Sequence, residues 1–85
     1  MNPRESLLKL IDEFLSGQDR SMQIVSQIEA VIIDYFLDSD VYEILSEPVS
    51  LYRPGEGLPY TDEEEMAESL EEARRALVDG TDGSE

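Results

Sequence analysis

The stretch Asp38-Ser39-Asp40-Val41-Tyr42-Glu43 gathers three carboxylates, and a second run, Asp62 to Glu65, sets four side by side. Oxygen-rich clusters of this kind can hold a hard cation such as calcium, or supply a pair of carboxyls for general acid and base work. Neither chemistry fits the spacing. Counted from Asp38 as the first ligand of an EF-hand loop, the fifth position needs an oxygen donor and the sixth a glycine, where this chain has Tyr42 and Glu43. A carboxyl pair for glycosyl transfer must face across a cleft in differently tuned environments, and a chain of 85 residues has little interior in which to tune them.

The remaining catalytic chemistries are excluded more simply. The chain has no cysteine and no histidine, which removes thiol nucleophiles, the usual zinc ligands and the ordinary neutral-pH base. No nucleophile elbow or phosphate-binding loop is present. The expectation is therefore a protein that is not an enzyme, needs no metal or cofactor, and acts by binding.

Charge says what it can bind. There are 21 acidic and 6 basic residues, a net charge of −15. Between Ser21 and Ala73 stand fourteen carboxylates and a single cation, Arg53. Such a field repels nucleic acid and anionic membranes and attracts a basic protein surface. Arg53 lies in the loop Tyr52-Arg53-Pro54-Gly55-Glu56-Gly57-Leu58-Pro59-Tyr60, whose prolines and glycines predict a defined turn. Tyrosine and arginine dominate binding hot spots, so Tyr52, Arg53 and Tyr60 are candidate interface anchors. The alternative for Arg53 is an internal pair with Glu56 or a carboxylate of the last helix.

The elements that must present these residues are helical. Asn2 as N-cap, Pro3 at the first helical position and Glu5 three residues after the cap begin a first helix. Leu7, Leu8, Leu10, Ile11, Phe14 and Leu15 recur at helical spacing, and Gly17 stops it. Asp19 or Ser21 caps a second helix to about Leu37, with a wide stripe of Ile24, Val25, Ile28, Val31, Ile32, Tyr35 and Phe36. Asp40, with Glu43 at N3, is the expected cap of a third helix, short or kinked at Pro48: one segment to about Ser46, then a further turn or bent continuation to Tyr52. Thr61, with Glu64 at N3, is the expected cap of a fourth, whose stripe is Met66, Leu70, Ala73 and Leu77. The reading is an all-α, compact four-helix bundle over residues 1–79, with a flexible acidic tail at 80–85. No apolar run is long enough for a signal peptide or a membrane span, which predicts a cytoplasmic protein.

In this order, "LLKLIDEFLSGQDRSMQ", a second helix, then "YRPG" and "PYTDEEEM", the chain resembles small acidic bacterial immunity proteins, in particular the colicin D immunity-like group. The resemblance spans most of residues 5 to 77 and rests on hydrophobic pattern and a few turn residues. It implies a four-helix bundle that neutralises a cognate nuclease-type toxin, a bacteriocin, by covering its basic active site. Carried over, it implies that Asp38, Asp40, Glu43, Asp62, Glu63 and Glu64 face the toxin's cations, with Tyr52 and Arg53 near the rim. Together with Glu56 and Tyr60 of the loop, these are the candidate partner-binding residues. The alternative is an assembly module that forms a homodimer through Ile28, Val31, Ile32 and Tyr35, its charge serving solubility.

Overall fold

Four α-helices account for most of the chain: α1 Pro3–Leu15, α2 Met22–Tyr35, α3 Asp40–Ser50 and α4 Glu63–Asp79. The computed structural model describes residues 2–79, so the expected tail at 80–85 lies outside the described residues. Among the described residues the only β-type pairing is a single bridge between Tyr52 and Thr61. The radius of gyration is 11.9 Å, about that of any tightly packed chain of this length.

Each helix packs on two neighbours in a ring, α1 on α2 and α4, α3 on α2 and α4. Asp40 and Glu43 of α3 share a groove with Glu72 and Arg75 of α4, whereas Glu47 and Leu51 share one with Glu65 and Ser69. The start of α3 therefore lies against the end of α4, and the two helices are antiparallel. The apolar stripes meet in one core containing Leu7, Ile11 and Phe14 of α1, Ile24, Ile28 and Ile32 of α2, Val41 and Leu45 of α3, and Met66, Leu70 and Leu77 of α4.

Helix starts follow residue chemistry, with two shifts from expectation. Asn2 accepts the Arg4 amide through Oδ1 at 2.8 Å, and the Ser21 hydroxyl accepts that of Ile24 at 3.3 Å. The cap of α3 is Ser39 rather than Asp40. The Ser39 hydroxyl accepts the Tyr42 amide at 3.3 Å and donates to the Phe36 carbonyl at 2.7 Å, and an ionised carboxylate can only accept. Asp40 moves into the first turn, where the helix dipole favours its charge. The cap of α4 is Asp62 rather than Thr61: Asp62 Oδ1 accepts the Glu65 amide at 2.8 Å. Thr61 is buried, with its backbone amide given to Leu51 and its carbonyl to Arg53.

Pro48 does not divide α3. The helix continues through it to Ser50, although a proline in a helix interior costs about 3 kcal/mol. The turn that follows Pro48 buries Val49, and Tyr52 just beyond it is also buried. That burial offsets the lost hydrogen bond, since a fully buried apolar side chain contributes about 1.5–3 kcal/mol.

Candidate protein-interaction surface

The connection between α3 and α4 is built from two successive turns. Glu56 donates its amide to the Arg53 carbonyl at 3.1 Å, closing a turn with Pro54 second and Gly55 third, and Gly55 has φ +87°. A positive φ at the third position is the requirement of a type II turn, which glycine meets without a Cβ clash. Tyr60 donates to the Gly57 carbonyl at 2.9 Å and closes the second turn, which contains a cis Leu58–Pro59 bond. The base is held by Arg53 donating to Thr61 at 3.0 Å and Thr61 to Leu51 at 2.8 Å.

Of the expected anchors, Tyr52 is not on the rim. Its side chain is only 2% exposed, its ring meets Phe14 edge-on at a centroid distance of 5.7 Å, and its hydroxyl donates to the Arg20 carbonyl at 2.6 Å. Burial pushes the Tyr52 phenol above its ordinary value, and the charge of nearby Glu63 pushes the same way against the opposing effect of Arg20. Arg53 and Tyr60 do face solvent, the guanidinium lying 5.9 Å from the Tyr60 ring centroid. Arg53 is thus held by an aromatic face rather than by the carboxylate of Glu56.

The residue that organises this end of the bundle is one that spacing did not single out. Arg20 Nε donates to the Phe14 carbonyl at 2.9 Å and Nη2 to that of Leu15 at 3.4 Å, satisfying two carbonyls at the open end of α1. Its guanidinium also lies over the Phe14 ring at 5.3 Å and sits 3.9 Å from Glu63 Oε1. The available signal was its place as the lone cation of the turn between α1 and α2, within reach of a helix C-terminus whose dipole favours positive charge. Beside it, Asp19 accepts the Ser21 amide at 3.0 Å, and hydrogen bonds from the Ser21 side chain and backbone hold its carboxyl below the usual range.

The acidic candidates divide into two groups. Asp62, Glu63, Glu64 and Glu56 are exposed at the end of the bundle where α3 finishes and α4 begins, next to Arg53 and Tyr60. Asp38, Asp40 and Glu43 lie at the other end of α3, roughly 15 Å of helix away. What joins the two ends is α4 itself. Its buried stripe leaves Glu64, Glu65, Glu68, Glu71 and Glu72 on the outside, and no lysine or arginine stands between Arg53 and Arg74.

The expected dimer face is largely consumed by folding. Ile28 and Ile32 are fully buried and Val31 packs partly against the core, while Tyr35, expected in the buried stripe, is 65% exposed. Tyr35 is the last residue of α2, and the chain departs from helical geometry at Phe36. The stripe therefore loses its geometric basis there. Among the described residues no group of three or more metal-ligating side chains converges, and no helix is long and apolar enough to cross a membrane. Searches of protein-family models, curated proteins and solved structures find no match to this chain.

Proposed function

We propose that this chain is an inhibitor that covers a basic protein surface with the outer face of α4, and that its target is a nuclease-type bacterial toxin. The observation that carries this reading is the environment of Glu68. Its helix neighbours at three and four residues' distance on either side are Glu64, Glu65, Glu71 and Glu72, and like charges at those spacings repel. A ridge so arranged works against its own helix, and cations from outside relieve it.

Carboxylates along one helix present negative charge at intervals suited to a cleft built for phosphates. They also steer approach, raising association rates at low salt. Of the nearby cations, Arg20 is committed to the end of α1 and Arg74 binds Asp12 of α1 at 2.8 Å, which leaves Arg75, four residues after Glu71 and in one groove with Glu72, at the far end of the ridge. The resemblance to immunity proteins supplies the class of target, and the acidity supplies the means.

The test is nuclease inhibition by a panel of purified toxin nuclease domains, beginning with any encoded beside this chain. A domain that is inhibited should lose affinity steeply as salt rises from about 0.05 to 0.5 M, and should lose it again when Glu64, Glu68, Glu71 and Glu72 are all changed to glutamine. Inhibition indifferent to both would sink the proposal, as would a panel that the chain leaves fully active.

A further inference from the structure

Leu58 is 88% exposed, the most exposed large apolar side chain in the described structure. It sits second in the turn closed by Tyr60 and Gly57, and so is held out rather than left loose. Leu58 and Pro59 line a groove of about 320 Å³ together with Pro48 and Leu51, and its polar lining comes from Glu47 of α3, Thr61, and Glu65 and Ser69 of α4. A leucine so placed contributes almost nothing to folding, and its apolar surface is gained only when something covers it.

We propose that this groove takes one apolar side chain of the partner, from a segment in which lysine or arginine stands on both sides of that residue. The proposal rests on the acidic-inhibitor reading and deepens it by naming the segment bound. Charge complementarity selects the occupant. Glu47 and Glu65, from different helices, line the groove together with its apolar residues, so an apolar residue with cations on either side satisfies both elements. An acidic or neutral segment leaves the carboxylates unmatched, and a second copy of this chain brings more negative charge. The two closed turns also order the loop before binding, so little conformational freedom is lost on contact.

The experiment uses two labelled peptides of equal charge, one with a central leucine between paired lysines and one with serine in its place, titrated against the full chain at about 0.01 M salt. The leucine peptide should bind about tenfold more tightly. That preference should vanish in Leu58→Ser, which changes only an exposed side chain, while both peptides should weaken in Glu47→Gln/Glu65→Gln. Amide shifts on adding the leucine peptide should centre on Leu51, Leu58 and Glu65. Equal binding of the two peptides, or a preference that survives Leu58→Ser, overturns the groove and leaves the acidic-surface reading standing. Failure of both peptides to bind overturns the two together.

Discussion

The Tyr52 hydroxyl donates to the backbone carbonyl of Arg20 at 2.6 Å across 32 residues of chain. One side chain from the end of α3 thereby fixes the turn between α1 and α2. Arg20 in turn caps α1 and approaches Glu63 at the start of α4. Two of the three connections of the bundle, α1 to α2 and α3 to α4, thus meet at one pair of residues, and the interaction loop grows from the same place, since Arg53 follows Tyr52 directly. Orientation of the loop and integrity of the bundle are coupled here.

Replacing Tyr52 by phenylalanine keeps the ring and removes the bond, which should cost about 1 kcal/mol, whereas alanine should cost about 3–5 kcal/mol by leaving a cavity. Urea denaturation checks both. The pH dependence has a definite sign. The folded-state pKa of Tyr52 is raised above its ordinary value of 10.0, so its contribution is complete below pH 10 and is lost as pH climbs through the raised folded value. The wild-type chain should therefore lose stability faster than Tyr52→Phe above pH 10, and parallel curves would refute this assignment.

Arg20 should matter through its fork rather than its charge. Lysine retains the charge but offers no planar pair of donors to the carbonyls of Phe14 and Leu15, so Arg20→Lys should lose most of what Arg20→Ala loses, about 1–2 kcal/mol. Glu63→Gln should cost less than about 0.5 kcal/mol, because the pair is long at 3.9 Å and the Glu63 side chain is 51% exposed. Thermal and chemical melts of the three variants separate these roles, and a large loss in Glu63→Gln would show that the ion pair had been undervalued.

Ser39→Ala and Asp62→Ala should each cost about 1 kcal/mol as lost caps. Asp40 adds its charge in the first turn of α3, worth about 0.3–1 kcal/mol and screened by salt. Comparing the three by urea titration in low and high salt tests the assignment, since the loss at Ser39, an uncharged cap, should persist in salt while the charge contributions of Asp40 and Asp62 should shrink.

The helices were legible from local information because their determinants are local: apolar residues at three- and four-residue spacing, Asn2 with Pro3, Gly17 at a helix end. The sequence is ambiguous where two neighbouring residues are both chemically competent and the choice depends on a contact elsewhere. Ser39 prevails over Asp40 by donating back to Phe36, and Thr61 yields to Asp62 because its backbone is committed to Leu51 and Arg53. The same limit hid the burial of Tyr52, whose partner is remote in sequence. Leu58 carried a weak signal, an apolar residue between Gly57 and Pro59 in an otherwise polar loop, but only the fold shows that it projects beside a groove.

The last prediction separates a stability role for the α4 ridge from a binding one. Glu68 has four like-charged neighbours at helical spacing, each unfavourable by about 0.2–0.5 kcal/mol when unscreened. Glu68→Gln should therefore stabilise the free protein by about 1 kcal/mol at low salt, and the gain should shrink as salt screens the ridge. If α4 is the binding face, the same variant should weaken inhibition while raising the melting temperature. A merely solubilising surface would show the thermal gain alone. A Glu68→Gln protein less stable than wild type at low salt would mean that the carboxylate is compensated within the fold, and the ridge would then have no unrelieved charge to offer a partner.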